Sequence, residues 1–130
     1  MILFDTHVLL WLSIDPGKLS SKAKTAIDNA RKNGEGMAIA DITLLELATM
    51  ARKGRLQLNM TFESFLQEIE ARFTILPITG RACVRTTTLP ATYPKDPADR
   101  VIGATALVEG LTLLTADKEI LRSKAVPIIW

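Results

Sequence analysis

The chain has a single cysteine, Cys83, and a single histidine, His7, among 130 residues. One cysteine excludes an internal disulfide and a cysteine-built zinc site, and one histidine excludes a histidine-rich metal centre. Any metal here must be a hard cation held by oxygen, and Cys83 reads as inert. Long hydrophobic runs are missing too. The longest, Val8 to Leu12, is far below the roughly 18 residues of a membrane span. The opening Met1-Ile2-Leu3-Phe4-Asp5 has no basic region before its apolar stretch, so a signal peptide is not expected. Neither charge is in large excess: 16 lysines and arginines face 14 acids, a formal charge of +2. That excludes a histone-like polycation. A glycine-rich phosphate loop is absent, and Pro16-Gly17-Lys18-Leu19 does not make one. The expectation is a soluble protein of the reducing cytoplasm, with no membrane partner.

What is present is a globular composition, 48% apolar and 23% charged, over a length that suits one domain spanning residues 1–130. Apolar runs and helical patterns alternate along it. Met1 to Phe4, Met37 to Ala40, Thr74 to Ile78 and Leu111 to Thr115 read as strands, with Val126 to Trp130 as a candidate edge strand. Between them lie expected helices at Thr6 to Ser13, Ser20 or Ser21 to about Asn33, Ile42 to about Lys53, Phe62 to Phe73, Thr79 to Thr88 and Pro97 to Glu109. A short helical turn follows at Lys118 to Arg122. The three prolines from Pro90 to Pro97 make a loop. Strands that are apolar without alternation, separated by helices, imply an α/β fold with a mostly parallel sheet of four or five strands covered on both faces. Sites in such sheets form outside the carboxyl ends of the strands.

Acids stand at those ends. Asp5, Asp41 and Asp117 each follow a strand directly or within a few residues. Helix capping is the ordinary account of such a residue, and it is kept for Asp41. Glu46 lies more than a turn into the apolar Thr43-Leu44-Leu45-Glu46-Leu47-Ala48, where an ionised group needs a partner or an opening to water. Asp96 before Pro97 is an N-cap signature, which places Asp99 in the first turn of the helix. The small residues that follow, Gly103-Ala104-Thr105-Ala106, allow that helix to pack closely on the sheet. Asp5, Glu46, Asp99 and Asp117 can thus converge on one cleft. Two unit charges about 4 Å apart repel by about 4 kcal/mol at an effective dielectric near 20, so a set of four calls for a shared cation such as Mg²⁺ or Mn²⁺.

In sequence, Asp5-Thr6-His7-Val8-Leu9-Leu10-Trp11, Thr43-Leu44-Leu45-Glu46-Leu47, Asp96-Pro97-Ala98-Asp99-Arg100 with Val101 to Ala106, and Leu113-Leu114-Thr115-Ala116-Asp117 resemble the four motifs of PIN-domain nucleases of the VapC toxin type. The match runs through essentially the whole chain, in order. The resemblance implies a three-layer α/β/α sandwich, a Mg²⁺ or Mn²⁺ site and endoribonuclease activity. It also implies a cognate VapB-type antitoxin and a homodimer. Carried over residue by residue, it makes Asp5, Glu46, Asp99 and Asp117 the metal-holding catalytic acids. Thr6, Asp96 and Thr115 become their supports. Metal-assisted hydrolysis of an RNA phosphodiester is the chemistry expected.

Lys95, Arg100 and Lys118 flank the acidic motifs and are candidate contacts to RNA phosphates. His7 is expected to make a structural hydrogen bond rather than act as a base, and Trp11 to be core rather than a stacking platform. The basic Arg52, Lys53 and Arg55 suit a helix C-terminus. A haloacid-type phosphatase would need an aspartate where His7 stands, and a two-component receiver would space its acids differently. The rival from another class is a non-catalytic RNA-binding or protein-interaction module on the same fold, which predicts loss of a site acid; all four are here. Setting those four acids aside leaves sixteen basic residues against ten acids, +6. The near-neutral total is thus an average of an acidic pit and a basic surround.

Overall fold

A computed structural model describes residues 1–130. Five short strands, β1 (Ile2–Phe4), β2 (Met37–Ala40), β3 (Thr74–Leu76), β4 (Thr112–Leu114) and β5 (Ile128–Ile129), form one sheet in the order β3-β2-β1-β4-β5. Every neighbouring pair is parallel. Seven helices connect and cover it: α1 (Thr6–Ile14), α2 (Ser21–Lys32), α3 (Asp41–Arg52), α4 (Phe62–Arg72), α5 (Gly80–Thr86), α6 (Pro97–Glu109) and α7 (Lys118–Ser123). The α/β sandwich expected from the sequence is the fold observed. No helix is long and apolar enough to cross a membrane.

The absence of alternation in the strands follows from burial on both faces. Successive side chains point to opposite sides of a strand, so Leu3 and Phe4, Ala38 and Ile39, and Leu113 and Leu114 divide between two cores. Phe4, Ile39 and Leu114 join Val8, Leu9, Ile27, Leu47, Phe65 and Ile69. There Phe4 meets Phe73 edge to face, with ring centroids 5.1 Å apart. Leu3, Ala38, Ala40 and Leu113 join Tyr93, Ile102, Ala106 and Ile120 on the other side. Each fully buried Leu, Ile or Phe contributes roughly 1.5–3 kcal/mol of transfer free energy. The helices carry the matching period: α2 buries Ala23, Ile27 and Ala30 and turns its lysines outward.

Several boundaries differ from expectation for local reasons. β3 ends at Leu76 rather than Ile78 because Pro77 has no N–H to extend a ladder. The Ile78 N–H donates instead to Asp41 Oδ2 at 3.0 Å. Asp41 is therefore not the cap of α3. The helix starts one residue early, on Asp41 itself, with Ala40 in the cap position and no side-chain cap bond, while Asp41 Oδ1 is buried without a partner. α5 stops at Thr86 because the Thr86, Thr87 and Thr88 hydroxyls donate to the carbonyls of Cys83, Val84 and Arg85, which favours a turn over continued helix.

α6 packs on the sheet as its small residues suggest, with Ala106 among Leu3, Ala38 and Leu113, but at Gly103 itself the nearest neighbour is a tyrosine. A Cβ at Gly103 would lie 2.2 Å from the Tyr93 hydroxyl oxygen. The notch receives the Tyr93 ring from the Pro90–Pro97 loop, and the ring is 1% exposed.

Candidate active site

Strand order reverses direction about β1, whose two neighbours are β2 and β4. Ligands of open parallel sheets bind at such a switch point, beyond the carboxyl ends. A cavity of about 390 Å³ opens there, and its wall contains Asp5, Glu46, Asp96, Asp99 and Asp117, together with His7, Trp11 and Ala116. The four acids singled out from the sequence share one cleft, with Asp96 beside them.

Three of the acids are delivered as helix caps and two, Glu46 and Asp99, from within helices. Asp5 leaves β1 as the cap of α1 and accepts the Thr6 N–H on Oδ1 at 2.8 Å. Its Oδ2 accepts from the Thr115 hydroxyl at 2.7 Å, so both oxygens are fixed by the ends of two adjacent strands. Glu46 sits on the cleft face of α3, where the Thr6 hydroxyl donates to its Oε1. Thr43, fully buried, pairs with the same hydroxyl at 3.0 Å. Asp96 caps α6, accepting the Ala98 and Asp99 N–H groups at 2.9 and 3.2 Å. Asp99 is in the first turn it stabilises. Asp117 caps α7 through one oxygen, Oδ1, which accepts from Glu119 and Ile120 at 2.8 and 3.1 Å. Its own N–H bonds the Thr115 hydroxyl at 3.1 Å. Capping and cleft-lining, alternatives when read from sequence, coexist at Asp5, Asp96 and Asp117.

His7 is the one basic side chain in the wall, and it acts to lower Asp5 and Glu46. No lysine or arginine lines the cavity, and the molecule's ion pair, Lys18 with Asp15 at 3.8 Å, lies outside it. Burial raises the Asp5 carboxyl above the ordinary aspartate range, against the lowering effect of its bonds to Thr115 and Thr6. Burial also raises Glu46, with the charges of Asp5 and Asp96 adding to it. Asp99 is pushed up to about 7, by burial first and then by Asp5, Asp96, Asp117 and Glu46. No three acidic, histidine or cysteine side chains already close on one point as a metal cage.

Other expectations are corrected. His7 is exposed on the cleft wall, with its ring 6.3 Å from that of Trp11, rather than bonded in the interior. Trp11 packs against the main core as expected, but it is only half-buried and also lines the cleft, with Trp130 at 5.6 Å. Arg100 turns away from the cleft, and its Nη1 donates to the Thr86 carbonyl at 3.1 Å, tying α6 to α5. Lys95 and Lys118 are exposed beside Asp96 and Asp117 without lining the cavity.

Tyr93 and Thr43 are the residues that sequence reasoning passed over. The Tyr93 hydroxyl donates to the Asp99 carbonyl at 2.8 Å and so holds the turn that carries Asp99. Burial, reinforced by the Asp99 charge, raises the Tyr93 hydroxyl well above its ordinary range, keeping it a donor. Its signal was present: the chain's only tyrosine, in a proline loop just before the third acidic motif.

One family model covers nearly all of this chain. The PIN domain model matches residues 2–126, and the chain belongs to the PIN-domain family. Within that family it is of the VapC type, being 38% identical over 119 residues to Ribonuclease VapC22 of Mycobacterium tuberculosis (strain ATCC 25618 / H37Rv), across 92% of this chain and 88% of the relative. In fold it is similar to VapBC2 from Rickettsia felis bound to a DNA fragment from their promoter, with a TM-score of 0.75 at 20% identity over 98% of this chain and 97% of that one. A toxin-antitoxin complex from Klebsiella pneumoniae has the same fold, with a TM-score of 0.66 at 22% identity over 100% and 97% of the two chains.

Proposed function

We propose that this protein is a divalent-metal-dependent endoribonuclease, a VapC-type toxin acting as one PIN unit over residues 1–130. The observation that carries this reading is the gathering of five carboxylates at the sheet's switch point with no lysine or arginine among them. The donor set fits Mg²⁺ or Mn²⁺ in its chemistry, since it is made of carboxylate oxygens whose raised proton affinity a cation would relieve. Asp5, Glu46, Asp99 and Asp117 would hold the ion, and because no three of them meet at one point, binding requires their side chains to adjust. When bound, the ion supplies Lewis acidity to the phosphate and stabilises charge on the leaving oxygen.

The chain's own groups do the rest. Thr115 and the Thr6 N–H keep Asp5 in one orientation. The Thr6 hydroxyl occupies one oxygen of Glu46 and leaves the other for the cleft. The N–H groups of α7 likewise occupy one oxygen of Asp117. Asp96 holds the start of α6 and with it Asp99. A carboxylate of the set accepts the proton of the attacking water. Lys95 and Lys118, exposed on either flank, meet RNA phosphates.

A VapB-type antitoxin and a second copy of this chain are the protein partners of this reading, and the cytoplasm is its compartment. The likeness to VapC22 and to toxin–antitoxin structures supports the antitoxin. The test incubates the pure protein with total RNA and Mn²⁺, with and without chelator, and maps the cut ends. Discrete cuts that chelation abolishes are expected. Intact RNA in both arms overturns the nuclease reading and leaves the non-catalytic module.

A further inference from the structure

Next to the acidic cleft lies a second cavity, of about 420 Å³, with the opposite chemistry. The two cavities share a wall made of His7 and Trp11. Past that wall the floor is apolar, with Leu10, Met50 and Leu56, and the rim carries Lys18 and Arg55.

Local structure places both cations. A 3-10 turn at Pro16–Lys18 follows α1 and presents Lys18, whose ammonium lies 6.0 Å from the centre of the Trp11 ring and 3.8 Å from Asp15. At the end of α3 the left-handed Gly54, φ +68, lets the Arg55 N–H return to the Met50 carbonyl at 2.9 Å. That reversal brings Arg55 and Leu56 back to the cavity they share with α1. Trp11 is braced from elsewhere by Trp130.

A half-buried indole above an apolar floor, with two cations at the rim, is suited to a nucleotide. An unpaired base stacks on the aromatic ring and its phosphate meets the cations. Asp15 is the one acid in this wall, and Lys18 faces it. The charge division between the two cavities has a direction: the scissile phosphate needs the carboxylates and their cation, and the neighbouring phosphate needs Lys18 and Arg55.

We infer that the second cavity is a nucleotide subsite for single-stranded RNA, with Trp11 under the base next to the scissile phosphate and Lys18 and Arg55 on the adjoining backbone. The inference rests on the nuclease reading above and assigns where its substrate lies.

The test measures the affinity of a fluorescein-labelled, mixed-sequence single-stranded RNA decamer by anisotropy, in an Asp5→Asn background that leaves the probe uncut. Lys18→Ala with Arg55→Ala should weaken binding by about tenfold and lower the salt dependence by about 0.7 in log–log slope for each cation removed. Trp11→Leu should weaken it by about tenfold through lost stacking, and Trp11→Phe should restore most of that. Arg81→Ala with Arg85→Ala, on α5, removes the same charge elsewhere and should leave the affinity within twofold.

Equal weakening by both double variants, or by neither, overturns the subsite. So does loss of an antitoxin's binding, with RNA affinity unchanged, in the Lys18/Arg55 variant, which would assign the cavity to a protein segment. Metal-dependent cutting by the parent with no effect of these substitutions defeats the subsite alone. No cutting by the parent and no binding by its Asp5→Asn form defeats both readings.

Discussion

The cleft has two halves, and they are built differently. On the strand side, Asp5 is 7% exposed and both of its oxygens are bonded, to Thr6 and to Thr115. On the helix side, Asp99 is only half-buried and rides on the first turn of α6, and its five largest influences all raise its proton affinity. The strand side solves the problem of holding a carboxylate still. The helix side is left with the problem of charge, and that is where the carboxyl's hold on its proton is raised furthest, to about 7. Position is supplied where strand end and helix cap meet at Asp5, whereas Asp99 sits on the first turn of α6.

The strongest way to break this contrast is at its rigid half. Asp5→Asn should reduce RNA cleavage on the order of 10²- to 10³-fold and leave the melting temperature within a few degrees, since the amide retains the shape and an acceptor for the Thr6 N–H. Loss of cleavage accompanied by unfolding would show a structural role only. Thr115→Val removes the donor to Asp5 Oδ2 and should lower Mn²⁺ affinity about 10- to 100-fold, as loss of a ligand's supporting bond does; titration calorimetry reads this directly. An unchanged affinity would mean that Asp5 is not held for metal.

The adjustable half is tested by pH. Folded Asp99 keeps its proton up to about pH 7, whereas the unfolded chain releases it in the ordinary aspartate range. Between those two values the native state binds more protons. Metal-free stability should therefore fall as pH rises through that window, and Asp99→Asn should flatten the decline. Mn²⁺ has to displace that proton, so its affinity should climb by up to about tenfold per pH unit until about pH 7. A pH-independent affinity over that range would remove Asp99 from the ligand set.

The smallest effect belongs to Tyr93→Phe, which deletes the bond to the Asp99 carbonyl and should cost about 1 kcal/mol of stability. Gly103→Ala sharpens that test from the other side, since its Cβ has no room beside the Tyr93 hydroxyl. Overpacking of that kind costs about 1–3 kcal/mol.

How much of this was legible in the sequence depended on the range of the interaction. Strand, acid and cap are adjacent in the chain, so Asp5, Asp96 and Asp117 were visible as apolar runs ending in a carboxylate or as an Asp-Pro helix start. The α/β class followed from the same runs. Contacts between distant segments were not visible. Nothing near Asp41 indicates that it will serve the Ile78 N–H, and nothing near Arg100 points to the Thr86 carbonyl. The small residue at Gly103 was readable as a site of close approach, but whether a strand or a tyrosine would fill it depended on the course of a loop rich in proline. The exposure of His7 and the open side of Trp11 were not visible because the helical pattern of α1 is apolar nearly all round, and only the cavities at its end decide which side opens.

The double engagement of Asp117 has a consequence for heredity. Its Oδ1 caps α7 while the residue lines the cleft, and asparagine caps a helix about as well as aspartate does. Any lineage that gains by silencing this protein has a short route at that position, because asparagine keeps the helix and removes the charge. If Asp117 holds the ion as proposed, a descendant disarmed in this way would persist as a well-folded protein, still able to occupy whatever partners the intact form engages.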